Sequence, residues 1–322
     1  MPLQFDMPYE ELLTYKGSSP IPDDFDEFWD NSLKELDEVD PDIAITPAPF
    51  SAPHADCYDL VFTGTGGSRV YAKLLRPKAS EGLQPAYIDF HGYGAASQDW
   101  FDYLGWVGAG YTVAALDCRG QGGQSEDRGC VSGMTRMGHI VRGIDDEPEN
   151  MLFRNIFLDT ARLAQIVAGL PQINVERISV GGGSQGGALA LACSALCPDL
   201  IYKTVSVFPF LSDYKRVWDM DQAVRAYEEI RNYFRCKDPL HENEDAFWNK
   251  LGYIDVQNLA SRIRSRLLMV VGLMDTVCPP STQFATYNKI TADKRLLVYK
   301  DFTHEYLPRK NDKAFAFIHG SD

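Results

Sequence analysis

The sequence predicts an α/β fold, with a mostly parallel central sheet and helices on both faces. Three observations carry this. Short β-branched runs alternate with helical stretches from residue 86 onward. A glycine cluster around Ser184 joins one such run to an Ala-rich segment. The 322 residues are 45% hydrophobic and 24% charged, enough to build a large core without covalent staples. The chain reads as one domain over residues 1–322, with an N-terminal extension (1–55) and a small helical cap insertion (211–255).

The elements follow in order. In the extension, Asp23 is placed to cap a helix whose stripe is Phe25, Phe28, Trp29, Ser32, Leu33 and Leu36. Tyr58 to Phe62 and Val70 to Leu75 alternate around Gly64, Gly66 and Gly67, as a β-hairpin does. Ala86 to Phe90 reads as a strand and runs into His91-Gly92-Tyr93-Gly94. A helix-like stretch, Asp99 to Ala109, leads to a strand from Tyr111 to Leu116. Phe153 to Val167 suits a helix, ended by Gly169 and Pro171. Ile178 to Val180 is a short buried strand, followed by glycines and a helix from Gly186 to Leu196. Thr204 to Phe208, Leu267 to Val271 and Arg295 to Tyr299 complete the strands. Residues 211–255 break this alternation with aromatic, charged, helical sequence that includes Tyr214, Trp218, Tyr227, Phe234 and Trp248.

Lys plus Arg is 31 against 45 Asp plus Glu, a formal charge of −14. That balance argues against nucleic acid and anionic membrane as partners, since both require a cationic face. The opening residues carry neither a basic patch nor an apolar block, so a secretory leader is not expected. Ile178 to Pro198 lacks charge but is broken by glycines, Ser184 and Gln185, which disfavours a membrane span. The seven cysteines are odd in number and read as reduced, in a cytoplasmic setting. Cys193 and Cys197 share a helix face without the further ligands a zinc site needs, so no metal and no cofactor is expected.

Chemistry concentrates at Gly182-Gly183-Ser184-Gln185-Gly186, a G-x-S-x-G between a strand and a helix. A nucleophile lifted out of a sharp strand-to-helix turn needs glycine two before and two after, where a side chain would collide. The helix N-terminus then favours negative charge on the reacting oxygens. A phosphate-binding turn is the rival, but the loop has no Lys and fits neither G-x-x-x-x-G-K-S/T nor G-x-G-x-x-G with a later acid. An acid and a base should follow the serine, in the order of the α/β-hydrolase fold. His304 follows the last strand in a loop, whereas His241 lies in the cap and His319 near the end, where fraying is expected. Asp275 follows the strand Leu267 to Val271, while Asp245 and Asp255 have no strand before them. Ser184, Asp275 and His304 are therefore the expected catalytic triad. The backbone N–H of Gln185 and that of Tyr93, in the loop after an early strand, are the expected oxyanion donors.

Gly183-Ser184-Gln185-Gly186, Arg119-Gly120-Gln121 and His304-Glu305 resemble the three signatures of the acetyl xylan esterase and cephalosporin C deacetylase family, carbohydrate esterase family seven. Gly272-Leu273-Met274-Asp275 with Cys278-Pro279-Pro280-Ser281 is similar to that family's acid segment. The likeness spans almost the whole chain. It implies a metal-independent serine esterase acting on small acetylated sugars and on cephalosporin C. It implies the same triad, with Tyr93 and Gln185 as oxyanion donors. Arg119, Gly120 and Gln121 would brace the loops around the elbow, and Tyr93 and Phe210 would wall the acetyl pocket. It also implies a ring-like homohexamer whose active sites face an inner cavity. A peptidase of related fold would usually carry a propeller, for which this chain has no room. A silent binding module would usually lack a triad member.

Overall fold

The computed structural model describes residues 5–78, 82–133 and 138–320; residues 1–4 of the expected extension and 321–322 lie outside it. Apolar β-branched runs supply the strands: β1 (Ala44–Pro47), β2 (Ala55–Thr63), β3 (Arg69–Pro77), β4 (Gln84–Phe90), β5 (Thr112–Leu116), β6 (Ile173–Gly183), β7 (Ile201–Val207), β8 (Arg266–Gly272) and β9 (Lys294–Tyr299). Among the described residues these nine form one sheet, ordered β1-β2-β3-β5-β4-β6-β7-β8-β9. The first three pairings, through β3 with β5, are antiparallel. All the others are parallel. Parallel strands need both faces covered, and two buried clusters do this. On one face α2 (Phe25–Glu38), α4 (Leu152–Gly169), α5 (Gln185–Leu196) and α10 (Pro280–Lys289), with the short α1 (Tyr9–Leu12) resting on α10, pack against residues such as Ile88, Val180 and Met269. On the other, the short α3 (Leu104–Gly108) and the C-terminal α11 (Lys310–His319) cover Tyr87, Val205 and Val270. No helix among the described residues is long and apolar enough to cross a membrane.

Most expected elements are present, and the departures have local causes. Strand β6 begins at Ile173, five residues before the apolar run, because Asn174, Glu176 and Arg177 ride on its more open start. Strand β1 is exposed at all four positions, so it lacks the alternation that would mark it, yet it pairs with β2. The stretch 99–109 is a short 3₁₀ turn, Trp100–Tyr103, followed by α3. Asp24 rather than Asp23 precedes α2, and its carboxylate accepts the Tyr253 hydroxyl at 2.5 Å instead of capping the helix. His319 is not frayed: it ends α11 with its ring stacked on Phe315 at 5.2 Å. Cys193 and Cys197 are buried, their thiols directed at the carbonyls of Thr160 and Ala161.

Between β7 and β8 the chain forms α6 (Tyr214–Asp219), α7 (Glu228–Lys237), α8 (Glu244–Gly252) and α9 (Val256–Leu259). The extension is fastened to this segment. Trp29 is fully buried, donates from Nε1 to the Tyr253 carbonyl at 3.0 Å, and stacks on Phe157 of α4 at 5.9 Å. The Asp213 carboxylate accepts the Tyr15 hydroxyl and the backbone N–H groups of Ser18 and Ser19. Trp29→Ala should therefore cost about 3–5 kcal/mol of unfolding free energy, read from denaturant midpoints. A loss under about 1 kcal/mol would mean that the extension contributes little to the core.

Candidate active site

The turn from β6 into α5 is set by a close approach of backbones. Phe90 of β4 stands opposite Gly182 of β6. A Cβ at Gly182 would lie 2.5 Å from the Phe90 carbonyl oxygen, and one at Gly186 would collide with the same oxygen. Glycine at both positions lets the chain reverse sharply, and Ser184 takes φ 58° and ψ −120° at the apex. Its N–H donates to Val207 at 2.9 Å, and its carbonyl accepts from Ala188 and Phe210, both at 3.1 Å. These bonds hold a conformation that otherwise costs of order 1–3 kcal/mol. The half-buried Ser184 stands at the N-terminus of α5, whose own twelve residues are all buried.

Asp275 and His304 follow strands β8 and β9. Asp275 is fully buried just after β8. Its Oδ1 accepts the N–H groups of Val277 and Cys278, each at 2.8 Å, which leaves Oδ2 for the His304 ring Nδ1 at 2.8 Å. His304 sits in the loop after β9, its side chain 18% exposed and its ring on Phe208 at 4.3 Å. That loop is pinned to the acid's loop by the Met274 N–H donating to the Phe302 carbonyl at 3.0 Å. The Ser184 side chain lies beside the Cys278 thiol. The Cys278 sulfur, an Asp275 oxygen and a His304 nitrogen lie within 4.8 Å of one another. Ser184, His304 and Asp275 thus come together around Cys278 at the carboxyl edge of the sheet. Burial pushes the Cys278 thiol well above its usual pKa, so it stays protonated. The Asp275 oxygens are already engaged by four donors, the fourth being Gln283 Nε2 at 3.5 Å, so this cluster is a poor cation cage.

The backbone N–H groups of Tyr93 and Gln185 find no acceptor among the described residues. Their loops are tied together by side chains. Gln121 and Gln185 form a reciprocal amide pair at 2.8 and 3.0 Å, and Gln121 Oε1 also accepts the Gly94 N–H at 2.9 Å. His91 ahead of Tyr93 accepts the Cys118 N–H on Nε2, so its Nδ1 carries the proton donated to the Gly92 carbonyl. Burial lowers its pKa and keeps it neutral. Arg119 makes a buried two-bond pair with Asp159 of α4, at 2.7 and 2.6 Å, and donates to the Thr65 carbonyl at 3.0 Å. Arg119 and Gln121 flank Gly120 and touch the scaffold rather than the serine.

Tyr93 is held from the other side by Glu229 on α7. The Tyr93 hydroxyl donates to Glu229 Oε1 at 2.5 Å, while Oε2 accepts the N–H groups of Ile140 and Val141 at 2.8 and 3.0 Å. Burial raises this carboxyl to about 8. Phe210 is buried between Tyr93 at 5.3 Å and Tyr227 at 4.4 Å. Open space lies elsewhere. A cavity of about 760 Å³ begins at Gly182, Gly183 and Ser184 and extends along the α3 and α11 face of the sheet, past Phe208, Asp89 and Trp106. Phe210 is absent from its lining.

The remaining candidates stand apart. His241 bonds Glu244 at 2.9 Å and stacks on Phe234. Asp245 is exposed. Asp255 caps α9, accepting from Gln257 and Asp213. Glu229, Cys278, Phe208 and Asp89 escape sequence reasoning. Glu229 follows Glu228 at a helix start, which reads as an ordinary acidic first turn, and only the three-dimensional fold brings it to Tyr93. Its raised carboxyl gives a pH test. The protonated form is favoured in the folded chain, so its contribution is full below about 4.5 and lost as pH rises through about 8. Glu229→Gln should flatten that part of the stability profile, measured by denaturant titration across the window. An unchanged slope would contradict the assignment.

The family model for acetyl xylan esterase (AXE1) matches residues 1–320. The chain is similar to acetyl xylan esterase 1 from Thermoanaerobacterium sp. JW/SL YS485, at 55% identity over 98% of each chain with a TM-score of 0.96. It is also similar to an acetyl xylan esterase from Paenibacillus sp. R4, at 34% identity over 98% of this chain and 99% of the other, with a TM-score of 0.93. Acetyl esterase Axe7A of Xylanibacter ruminicola is 26% identical over 297 residues, 89% of this chain; the chain spans 64% of that relative's length. A match over nearly all of its residues, on an α/β-hydrolase sheet carrying the serine elbow described above, settles the relationship: this chain belongs to the acetyl xylan esterase family, a family of carboxylic ester hydrolases.

Proposed function

We propose that this protein is a serine esterase that removes acetyl groups from small acetylated xylo-oligosaccharides, and from cephalosporin C, through an acetyl-enzyme. The observation that carries the reading is the His304–Asp275 bond of 2.8 Å beside a serine held at a strained elbow. Asp275 fixes the imidazole with its proton on Nδ1, which leaves Nε2 free to accept the Ser184 proton. Ser184 Oγ attacks the acetyl carbonyl as His304 takes that proton. The developing oxyanion rests on the N–H groups of Tyr93 and Gln185, each worth roughly 3 kcal/mol to the transition state. Collapse of the tetrahedral adduct expels the sugar alkoxide, protonated by His304. Water, deprotonated by the same imidazole, then attacks the acetyl-enzyme and releases acetate.

The small acyl preference rests on the tight packing of Tyr93, Phe210 and Tyr227 beside the elbow. The relatives named acetyl xylan esterase support the xylan-derived substrate, and the resemblance supports the cephalosporin ester. A cytoplasmic, homohexameric enzyme belongs to the same proposal, and a sedimentation mass of six chains checks the assembly. Ser184→Ala should lower p-nitrophenyl acetate turnover by at least about 10⁴-fold while the thermal midpoint stays within a few degrees. Turnover within tenfold of the parent would reject Ser184 as nucleophile.

A further inference from the structure

We propose that the cavity running from Ser184 along the α3 and α11 face is the leaving-group subsite, where Asp89, Lys310 and Trp106 bind the free hydroxyls and ring face of the sugar. This inference rests on the esterase reading and adds where the alcohol half of the ester sits and what selects it.

The space around Ser184 is lopsided. On the side of α7, Tyr93, Phe210 and Tyr227 are packed ring against ring, at 5.3 and 4.4 Å, with Phe210 only 1% exposed. That wall is packed too closely to admit a pyranose. On the opposite side the cavity holds about 760 Å³ and begins at the nucleophile itself. This lies within the range of small-ligand sites, roughly 300–1,000 Å³. An ester bound with its acetyl group against the tight wall must place its alcohol in the open one.

The lining suits a polyol. Asp89 Oδ2 accepts the Tyr103 hydroxyl at 3.0 Å, and Oδ1 has only a long contact of 3.3 Å from Tyr87. Its spare lone pairs therefore face the cavity. Lys310, at the first turn of α11, lines the same space and donates to Asn311 at 2.6 Å, which leaves two ammonium protons. A sugar hydroxyl can give its proton to the carboxylate while accepting from the ammonium, which an alkyl alcohol with no free hydroxyl cannot do. Trp106, held by Tyr87 at 4.3 Å and Phe315 at 5.2 Å, offers an apolar surface for the C–H face of the ring. Burial raises the Asp89 carboxyl to about 6. A site built to bond hydroxyl groups also rejects leaving groups that lack them, because its polar atoms would be left unpaired.

Two measurements test this. The first is calorimetric binding of xylobiose to the Ser184→Ala protein. Xylobiose should bind, and Asp89→Asn or Lys310→Met in that background should weaken binding by about tenfold, the size of one hydrogen bond to a charged group. Absence of binding, or equal affinity in all three proteins, overturns the subsite. The second uses the active enzyme. The ratio of kcat/KM for monoacetylated xylobiose to that for ethyl acetate should fall about tenfold in each variant, with the change in KM. A constant ratio, with both substrates slowed together, would mean that these residues only support the fold. If Asp89→Asn does not fold, Lys310→Met at the half-exposed start of α11 carries both arms. A parent enzyme inert toward ethyl acetate would reject the esterase reading instead, and the binding arm would still decide the subsite.

Discussion

The approach of the Phe90 carbonyl to Gly182 and Gly186 is the constraint on which the site depends. Neighbouring parallel strands bring β4 and β6 together, and two missing Cβ atoms let the first turn of α5 fold back against the Phe90 backbone. Ser184 is forced into a backbone conformation that few residues adopt, and the sheet supplies the hydrogen bonds that keep it there. A larger residue at either glycine would push the helix off the sheet. The position of Ser184 is thus a property of the β4–α5 packing rather than of the serine side chain.

Around this fixed point, separate parts of the chain are braced to one another. The amide pair of Gln121 and Gln185 joins the two loops whose N–H groups face the reacting carbonyl in the proposed reaction. Glu229 fastens Tyr93 to α7 and to the backbone at Ile140 and Val141. Arg119 and Asp159, buried as a pair, tie the same region to α4. Breaking such a pair by removing one partner typically costs about 3–5 kcal/mol, because the other charge is left without compensation. Bracing of this kind leaves little freedom on the Tyr93 side of the elbow. The room that remains lies across the sheet, toward Asp89 and Trp106.

Much of this was legible in the sequence because the chemistry leaves local marks. A strand, a glycine-flanked serine and an Ala-rich helix are contiguous. Asp275 and His304 each follow a strand, in the order the fold demands, and the structure places them 2.8 Å apart. The alternation of strands and helices gave the parallel sheet. What escaped has no local signature. Strand β1 is exposed and unpatterned, and β6 starts in a charged stretch. Glu229 and Asp89 look like ordinary acids until the fold buries one beneath Tyr93 and turns the other into a cavity. Phe210 was expected to wall the acetyl pocket; it packs between Tyr93 and Tyr227 with its N–H on the Ser184 carbonyl, while the ring that meets His304 is Phe208. Two phenylalanines two residues apart at the end of a strand cannot be told apart by pattern alone.

The central claim is that one serine carries the acyl group between the two halves of the reaction. Rapid acid quenching during turnover of p-nitrophenyl acetate, followed by peptide mass mapping, reads this directly. An acetyl group should appear on the peptide that contains Ser184 within one turnover and be lost as substrate runs out. Acetylation of a different residue, or turnover with no acetylated peptide even when hydrolysis is slowed at low temperature, would contradict it.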